Sequence, residues 1–218
     1  MLGIIVDAIS VLIRHFVPKI IEKREIQELT VSAVCPLFNE EGTLEDGVRA
    51  LACQTEPLKN IYLLDDCSTD GTEAIGRRIQ EQYPGRVIYC RMSQNSGKGH
   101  NINKIVESAY FDLGDLVFVC DGDCVPLPDC IAELKRKFAD KAVVAVTGLP
   151  FMIETGGLVN RFFCKGKIWQ VNCMNFRKTA QVCRDSMGVL CGAVTLYDTR
   201  IVRKHPLPIR TASEDLDH

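Results

Sequence analysis

Several features that would each have set the class of this chain are missing from it. No run of about 18 uncharged residues exists, the length that a membrane-spanning helix needs. The most apolar stretch, residues 1–21, is interrupted by Asp7, Arg14 and Lys19. That stretch also has no basic leader and no small-residue cleavage site, so it does not read as a signal peptide. Positive charge is not in excess either: 26 Lys and Arg stand against 28 Asp and Glu, a formal net charge of -2. A nucleic-acid binder of the non-specific kind needs a basic surface, so no nucleic-acid partner is expected. Repeats and low-complexity linkers are absent, which leaves 218 residues for one sizeable core.

Cysteine is plentiful, but paired cysteine spacing is not. The 11 cysteines contain no CxxC pair. Cys120, Cys124 and Cys130 do not follow zinc-ligand spacing. Cys35, Cys90 and Cys120 lie in apolar runs, where a reduced thiol behaves as a small hydrophobe. The expectation is a reducing compartment, the cytoplasm or the cytosolic face of a membrane.

Ile5, Ile9, Leu12, Phe16 and Ile20 recur at helical spacing, so residues 1–28 are expected to carry an amphipathic helix. It can lie on its own domain, on a sister chain or on a membrane surface. Beyond it, apolar strands alternate with amphipathic helices. Strands are expected at 31–35, 61–64, 87–90, 116–120 and 142–146. The helices between them bury Leu44, Val48 and Leu51, then Ile75, Ile79 and Tyr83, then Ile102, Ile105 and Ala109. A last one begins near Ile131. This rhythm predicts an α/β fold over residues 29–218, a mostly parallel central sheet with helices on both faces. Beyond Gly148 it breaks. Residues 158–185 mix Phe162, Phe163, Trp169 and Phe176 with Lys165, Lys167, Arg177, Lys178 and Arg184. That mixture fits a helix at a membrane or acceptor surface, or a core helix with snorkelling cations.

An open α/β sheet binds ligands at the carboxyl ends of its strands, and the unusual polar residues fall there. The first strand runs into Pro36-Leu37-Phe38-Asn39-Glu40-Glu41, the second into Asp65-Asp66-Cys67-Ser68-Thr69-Asp70-Gly71-Thr72, the fourth into Asp121-Gly122-Asp123. Asn39 to Glu41 can also cap a helix, and Asp70 is read as a cap for the next one. Asp65 and Asp66 follow a buried strand directly, where an unpartnered carboxylate is costly. One of them is expected to accept loop amides and the other to face a ligand. Asp121 and Asp123 can present hard oxygens to one cavity, the donor type that Mg²⁺ or Mn²⁺ shares with phosphates. Asn95-Ser96-Gly97-Lys98-Gly99-His100-Asn101 precedes a helix. Its glycines allow close backbone approach, and Lys98 can neutralise a phosphate. It is not a Walker A loop, since the leading glycine and the Lys-Ser/Thr pair are missing. Ser213-Glu214-Asp215-Leu216-Asp217 adds three carboxylates, which alone would read as a solvated tail.

In this order the motifs resemble the family 2 glycosyltransferases of the GT-A, Rossmann-like fold. Pro36 to Glu41 is similar to the family's P-x-Y-N-E-E, with Phe38 for Tyr. Gln54-Thr55 resembles its Q-T, and Asp65 to Thr72 its D-D-x-S-x-D-G-T. Asn95, Gly97, Lys98 and Asn103 fit N-x-G-K-x-x-x-x-N. Asp121-Gly122-Asp123 is the D-x-D, Gly192-Ala193 resembles the acceptor-side G-A, and Glu214-Asp215 the E-D. The likeness extends over residues 30–217 and is greatest to membrane-associated synthases of β-linked polysaccharides such as chitin or poly-N-acetylglucosamine.

The resemblance implies an inverting transfer from a nucleotide-sugar, a UDP-sugar, to a saccharide or lipid-linked acceptor, assisted by Mn²⁺ or Mg²⁺. It assigns donor binding to Pro36, Leu37, Asn39, Glu40, Asp65, Lys98 and Asp121. Asp123 with Asp121 would hold the metal, Gly192, Ala193 and Glu214 would lie on the acceptor side, and Asp215 would be the general base. Processive members carry a Q-x-x-R-W motif and transmembrane helices after the E-D, and this sequence stops at His218, so an incomplete acceptor side is expected. Two other readings stand beside this one. A polyprenyl-phosphate sugar transferase fits Gly97-Lys98 and Glu214-Asp215 less well. A nucleotide-binding subunit without catalysis would not need Asp65, Asp121, Asp123 and Asp215 all intact.

Overall fold

The computed structural model describes residues 22–148 and 192–207, all within one compact unit. Residues 1–21 of the expected N-terminal helix, the aromatic segment 158–185 and the Glu214-Asp215 pair lie outside the described residues. Residues 22–28, expected in that helix, form instead a bridge from Lys23 to Asp140 and a turn.

β1 (Val31–Leu37), β2 (Ile61–Asp65), β3 (Val87–Arg91) and β4 (Leu116–Cys120) pair in parallel in the order β3-β2-β1-β4. The residues of β1, β2 and β4 are buried almost throughout, the pattern of inner parallel strands covered on both faces. β3 is only partly buried and forms one edge.

Two short strands complete the sheet on the other side. β5 (Ala145–Thr147) is shorter than the apolar run 142–146 led one to expect, and it is not hydrogen-bonded to β4. The start of that run is spent on a turn: Asp140 accepts the Ala142 N–H on Oδ1 and the Val143 N–H on its carbonyl. β6 (Val194–Asp198) lies between β4 and β5 and runs antiparallel to both, giving the order β3-β2-β1-β4-β6-β5.

The described helices are α1 (Leu44–Ala52), α2 (Thr72–Gln82), α3 (Lys98–Glu107), α4 (Cys130–Lys137) and α5 (Thr199–Lys204). In α1 the buried positions Leu44, Gly47, Val48 and Leu51 recur at three- and four-residue spacing, one apolar stripe. α3 stops at Glu107 because Ser108 turns extended, with ψ 125°, so Ala109 falls outside the helix whose face it was expected to share.

Strand alternation sends Ala33, Cys35, Leu37, Ile61, Leu63, Leu116, Phe118 and Cys120 to one face, where they meet Leu51, Ile79, Ile131 and Phe138 from or beside α1, α2 and α4. α3 packs on β1 and α5, and α5 on β6, with no residue in that cluster, so helices cover both faces. Phe118 and Phe138 are wholly buried, and each such side chain contributes roughly 1.5–3 kcal/mol.

Candidate active site

The carboxyl ends of β1, β2 and β4 open on a cleft of about 220 Å³ lined by Pro36, Leu37, Phe38, Glu40, Asp66, Lys98, Asp121, Gly122 and Asp123. Because β6 is antiparallel to β4, its first residue Val194 faces Cys120, the last of β4. Gly192 and Ala193 are thereby delivered to the same edge. The Ala193 carbonyl accepts the Asp121 N–H at 3.0 Å, and the Gly192 carbonyl accepts Lys98 Nζ at 2.8 Å. Lys98 also forms an ion pair with Asp121 Oδ1 at 2.7 Å.

The first two loops are fastened to each other. The Asn39 N–H donates to Ser68 Oγ at 2.9 Å, the Glu40 N–H to Thr72 Oγ1 at 2.7 Å, and the Glu41 N–H to Asp70 Oδ2 at 3.2 Å. Return bonds run from the Thr69 N–H to Asn39 Oδ1 and from the Gly71 N–H to Glu41 Oε2. Asn39 adopts φ 58°, a conformation Asn tolerates, and spends its side chain on this bracing rather than on the cleft. Asp70 accepts both the N–H and the hydroxyl of Thr72, the first residue of α2. Glu40 alone of the three turns toward the cleft.

The two adjacent aspartates divide their work. Asp65 is wholly buried and does not line the cleft. Parallel register sets it opposite Arg91, whose Nη1 is 2.6 Å from Oδ2, and it also accepts the Tyr89 hydroxyl and the Ser68 N–H. Burial by itself would raise its pKa. The hydrogen bonds from Ser68 and Tyr89 and the Arg91 charge outweigh that and hold it below the ordinary carboxylate value. Asp66 reaches the cleft instead, and accepts the N–H groups of Ser96 and Gly97 at 2.8 Å each.

Gly97 has φ 84°, a conformation that favours glycine, and Lys98 begins α3 directly after it. Further along α3, Asn103 donates to the Leu207 carbonyl at 2.7 Å and accepts the Leu207 N–H at 2.8 Å. Gln54 does the same for the segment after the D-x-D: Nε2 donates to the Leu127 carbonyl at 2.7 Å and Oε1 accepts the Ile131 N–H at the start of α4. These two motif residues are braces.

The cleft is acidic. Burial raises the Glu40 pKa, and the charges of Asp123, Asp121 and Asp70 push it the same way against the Thr43 hydrogen bond. Behind the D-x-D, the Cys120 thiol is raised by its contact with Cys124 and by burial, and burial raises Cys35, so both stay protonated packing groups. The seven described cysteines are all free. Asp121 and Asp123 provide the hard-oxygen pair that a divalent cation uses when phosphates complete its shell, so these residues fit Mn²⁺ or Mg²⁺. Among the described residues no group of three or more His, Cys, Asp and Glu is placed to hold a metal ion.

Of the residues expected at the site, Pro36, Leu37, Glu40, Lys98, Asp121 and Asp123 line one cleft, and Gly192 and Ala193 hydrogen-bond two of them. Glu214 and Asp215 lie outside the described residues. Phe38 and Asp66 also line the cleft, Phe38 without having been expected there and Asp66 as the member of the Asp65-Asp66 pair that reaches it. Strand parity carried a signal for the second: Asp65 continues the inward series Ile61, Leu63, while Asp66 lies just past the strand. A larger cavity of about 430 Å³ opens at the amino end of β4, but Thr30 there binds Asp115, and Arg24 and Arg200 hold Asp198.

Fold and cleft together define an α/β domain that gathers carboxylates and one lysine at its strand carboxyl ends, the edge at which open α/β sheets take ligands. The chain matches the model of glycosyl transferase family 2 over residues 32–205, and it belongs to that family. It is 28% identical over 191 residues to hyaluronan synthase of Streptococcus pyogenes, covering 83% of this chain and 43% of that protein. It is 29% identical over 133 residues to the putative teichuronic acid biosynthesis glycosyltransferase TuaG of Bacillus subtilis, covering 61% of this chain and 51% of that one. The chain thus spans about half the length of these relatives. In fold it is similar to mannosyltransferase PcManGT from Pyrobaculum calidifontis, solved with GDP-Man and Mn²⁺, with a TM-score of 0.72 at 18% identity over 98% of this chain and 58% of that one. S. aureus TarS 1–349 in complex with UDP aligns with a TM-score of 0.56 at 18% identity, over 86% and 53%.

Proposed function

We propose that this chain binds the donor in an inverting transfer of a sugar from a nucleotide-sugar, a UDP-sugar, to a saccharide or lipid-linked acceptor hydroxyl. The observation that carries the reading is the convergence of Leu37, Glu40, Asp66, Lys98, Asp121 and Asp123 on one cleft. Family membership supports the transfer. The UDP bound by TarS and the GDP-Man and Mn²⁺ bound by PcManGT support a nucleotide-sugar and a divalent cation. The polymers in the names of the bacterial relatives support a saccharide acceptor.

In this reading Pro36, Leu37 and Phe38 wall the nucleobase, and Glu40 and Asp66 offer acceptors at its edge. Asn39 and Asp65 hold those loops in place. Lys98 compensates phosphate charge. Asp121 and Asp123 hold the cation, which when bound neutralises charge on the departing diphosphate. Asp215 takes the proton of the acceptor hydroxyl as its oxygen bonds to the anomeric carbon and the bond to the diphosphate breaks. Residues 1–28 would give a peripheral contact with the cytosolic face of a membrane.

The test is a calorimetric titration of the whole chain with UDP, first with Mn²⁺ and then with excess EDTA, using GDP as the control. Metal-dependent binding that prefers UDP and disappears in Asp123→Ala supports the reading. A folded chain that ignores UDP with and without metal refutes the donor assignment.

A further inference from the structure

We propose that the Lys98 ammonium serves two partners in turn. It holds the place of a cation at Asp121 in the empty cleft, and it passes to the donor's diphosphate when nucleotide and metal enter. The proposal rests on the nucleotide-sugar reading above and deepens it, because it sets how the two ligands depend on each other.

Four of the described residues that line the cleft are carboxylates, Glu40, Asp66, Asp121 and Asp123, and one, Lys98, is a cation. That cation already has a place. Its Nζ stands 2.7 Å from Asp121 Oδ1, on the first carboxylate of the D-x-D, and 2.8 Å from the Gly192 carbonyl. The Asp121 N–H is held by the Ala193 carbonyl at 3.0 Å, so the backbone fixes this aspartate while the lysine answers its charge. An ammonium here draws on the same negative charge that a divalent cation draws on at Asp121 and Asp123, and two cations in one small cleft repel. Lys98 therefore weakens metal binding for as long as it stays on Asp121.

The lysine is able to leave. The side chains of the pair are 25% and 30% exposed, so solvent replaces much of what their separation loses. A lysine is a point charge on a flexible stem, and it changes acceptor without moving the start of α3 from which it springs. A diphosphate offers it more negative charge than one carboxylate does, and its departure returns Asp121 to the metal. Nucleotide and metal then strengthen each other by equal factors, as linkage requires. Without nucleotide, the cleft offers a metal a place already taken.

The sign of one substitution tests this. Mn²⁺ binding to the whole chain without nucleotide is followed by the electron paramagnetic resonance of the free ion, and thermal melts confirm that each variant folds. Lys98→Met, which keeps the stem and drops the charge, is expected to bind Mn²⁺ about tenfold more tightly than wild type, the scale of one partly exposed charge-assisted bond. Lys98→Arg keeps the charge and should bind Mn²⁺ as wild type does. In an Asp121→Asn background Lys98→Met should bring no gain, because the charge it would release is no longer there. A Lys98→Met affinity no higher than that of wild type would overturn the proposal, and so would an equal gain in Lys98→Arg.

Repeating the Mn²⁺ titration at saturating UDP tests the hand-over. UDP should tighten Mn²⁺ binding more in wild type than in Lys98→Met, since only wild type has a lysine to draw off; equal tightening would sink the hand-over. A wild type that binds no UDP refutes the donor reading, and the nucleotide-free comparison still decides whether Lys98 occupies the place of the metal.

Discussion

Lys98 and Asp121 form an ion pair of 2.7 Å, and the same ammonium bonds the Gly192 carbonyl. Three stretches of chain far apart in sequence meet at one nitrogen, which fixes where the lysine of the cleft sits.

Removing that cation should be felt by the nucleotide. Lys98→Ala is expected to weaken UDP binding by roughly tenfold to a hundredfold, the worth of one charge-assisted phosphate contact. Raising the salt concentration should narrow the gap, since both side chains are partly exposed. Lys98→Arg restores only part, because a planar fork does not replace a point charge in the same place. Titrations at low and high salt check this, and equal affinities for wild type and Lys98→Ala would contradict it.

Asp65 makes the fold sensitive to acid. Its pKa is depressed in the folded chain, so its stabilisation is fully present above the unfolded carboxylate value and is lost as pH falls through the folded one. For this group, stability should be level from neutral pH down to about pH 4 and decline below it. Asp65→Asn should remove that part of the acid dependence and cost about 2–3 kcal/mol at neutral pH, because a buried, hydrogen-bonded charge is lost while Arg91, partly exposed, keeps Glu73 at 3.1 Å. Urea denaturation across pH measures both.

Gly47 lies inside α1, where Ala would ordinarily gain about 1 kcal/mol in helix propensity. A Cβ there would come within 2.9 Å of the Cys124 carbonyl oxygen and 3.3 Å of the Gly122 carbonyl oxygen, the backbone that carries the D-x-D. Gly47→Ala should therefore lower the melting temperature and the metal-dependent affinity together. A rise in melting temperature would show that the helix and this loop are not held in contact.

Two asparagines on α3 should respond in opposite directions. Asn103 exchanges two hydrogen bonds with the Leu207 backbone, whereas Asn101 is wholly buried and neither polar atom of its amide has a hydrogen-bond partner among the described residues. Asn103→Leu strands a buried N–H and C=O and should destabilise by about 2–4 kcal/mol. Asn101→Leu replaces an unsatisfied amide by an apolar group of similar size and should stabilise by about 1–3 kcal/mol. Thermal melts of the two variants decide it. Destabilisation in Asn101→Leu would mean that a bound water or ligand completes the amide.

Much of the fold was legible along the chain, because the four parallel strands and the helices between them follow hydrophobic period alone. Val31–Leu37, Ile61–Asp65 and Leu116–Cys120 are apolar nearly throughout, and Leu44, Val48 and Leu51 fall on one helical stripe. β6 was not foreseen, and β5 was foreseen too long. β5 has only three residues, and the identity of both as strands rests on partners distant in sequence: Val194 on Cys120, and Ala145 on Tyr197. The candidate site was legible as carboxylates at strand ends. Strand parity hinted at which of two adjacent aspartates would face the cleft, but not at the partner that holds the other, since Arg91 arrives opposite Asp65 only through the pairing of β2 with β3.

The sequence by itself determined the strand-helix rhythm, the positions of the acidic loops and the glycine before Lys98, because hydrophobic period and turn chemistry are local. Only the tertiary structure decided how those residues divide into cleft and brace. Asn39, Gln54, Asp65 and Asn103 are polar motif residues like Glu40, Asp66 and Lys98, yet they are spent behind the cleft on backbone amides, carbonyls and an ion pair with Arg91. Whether such a side chain ends in the cleft or behind it is set by partners from chain segments that no local pattern brings together.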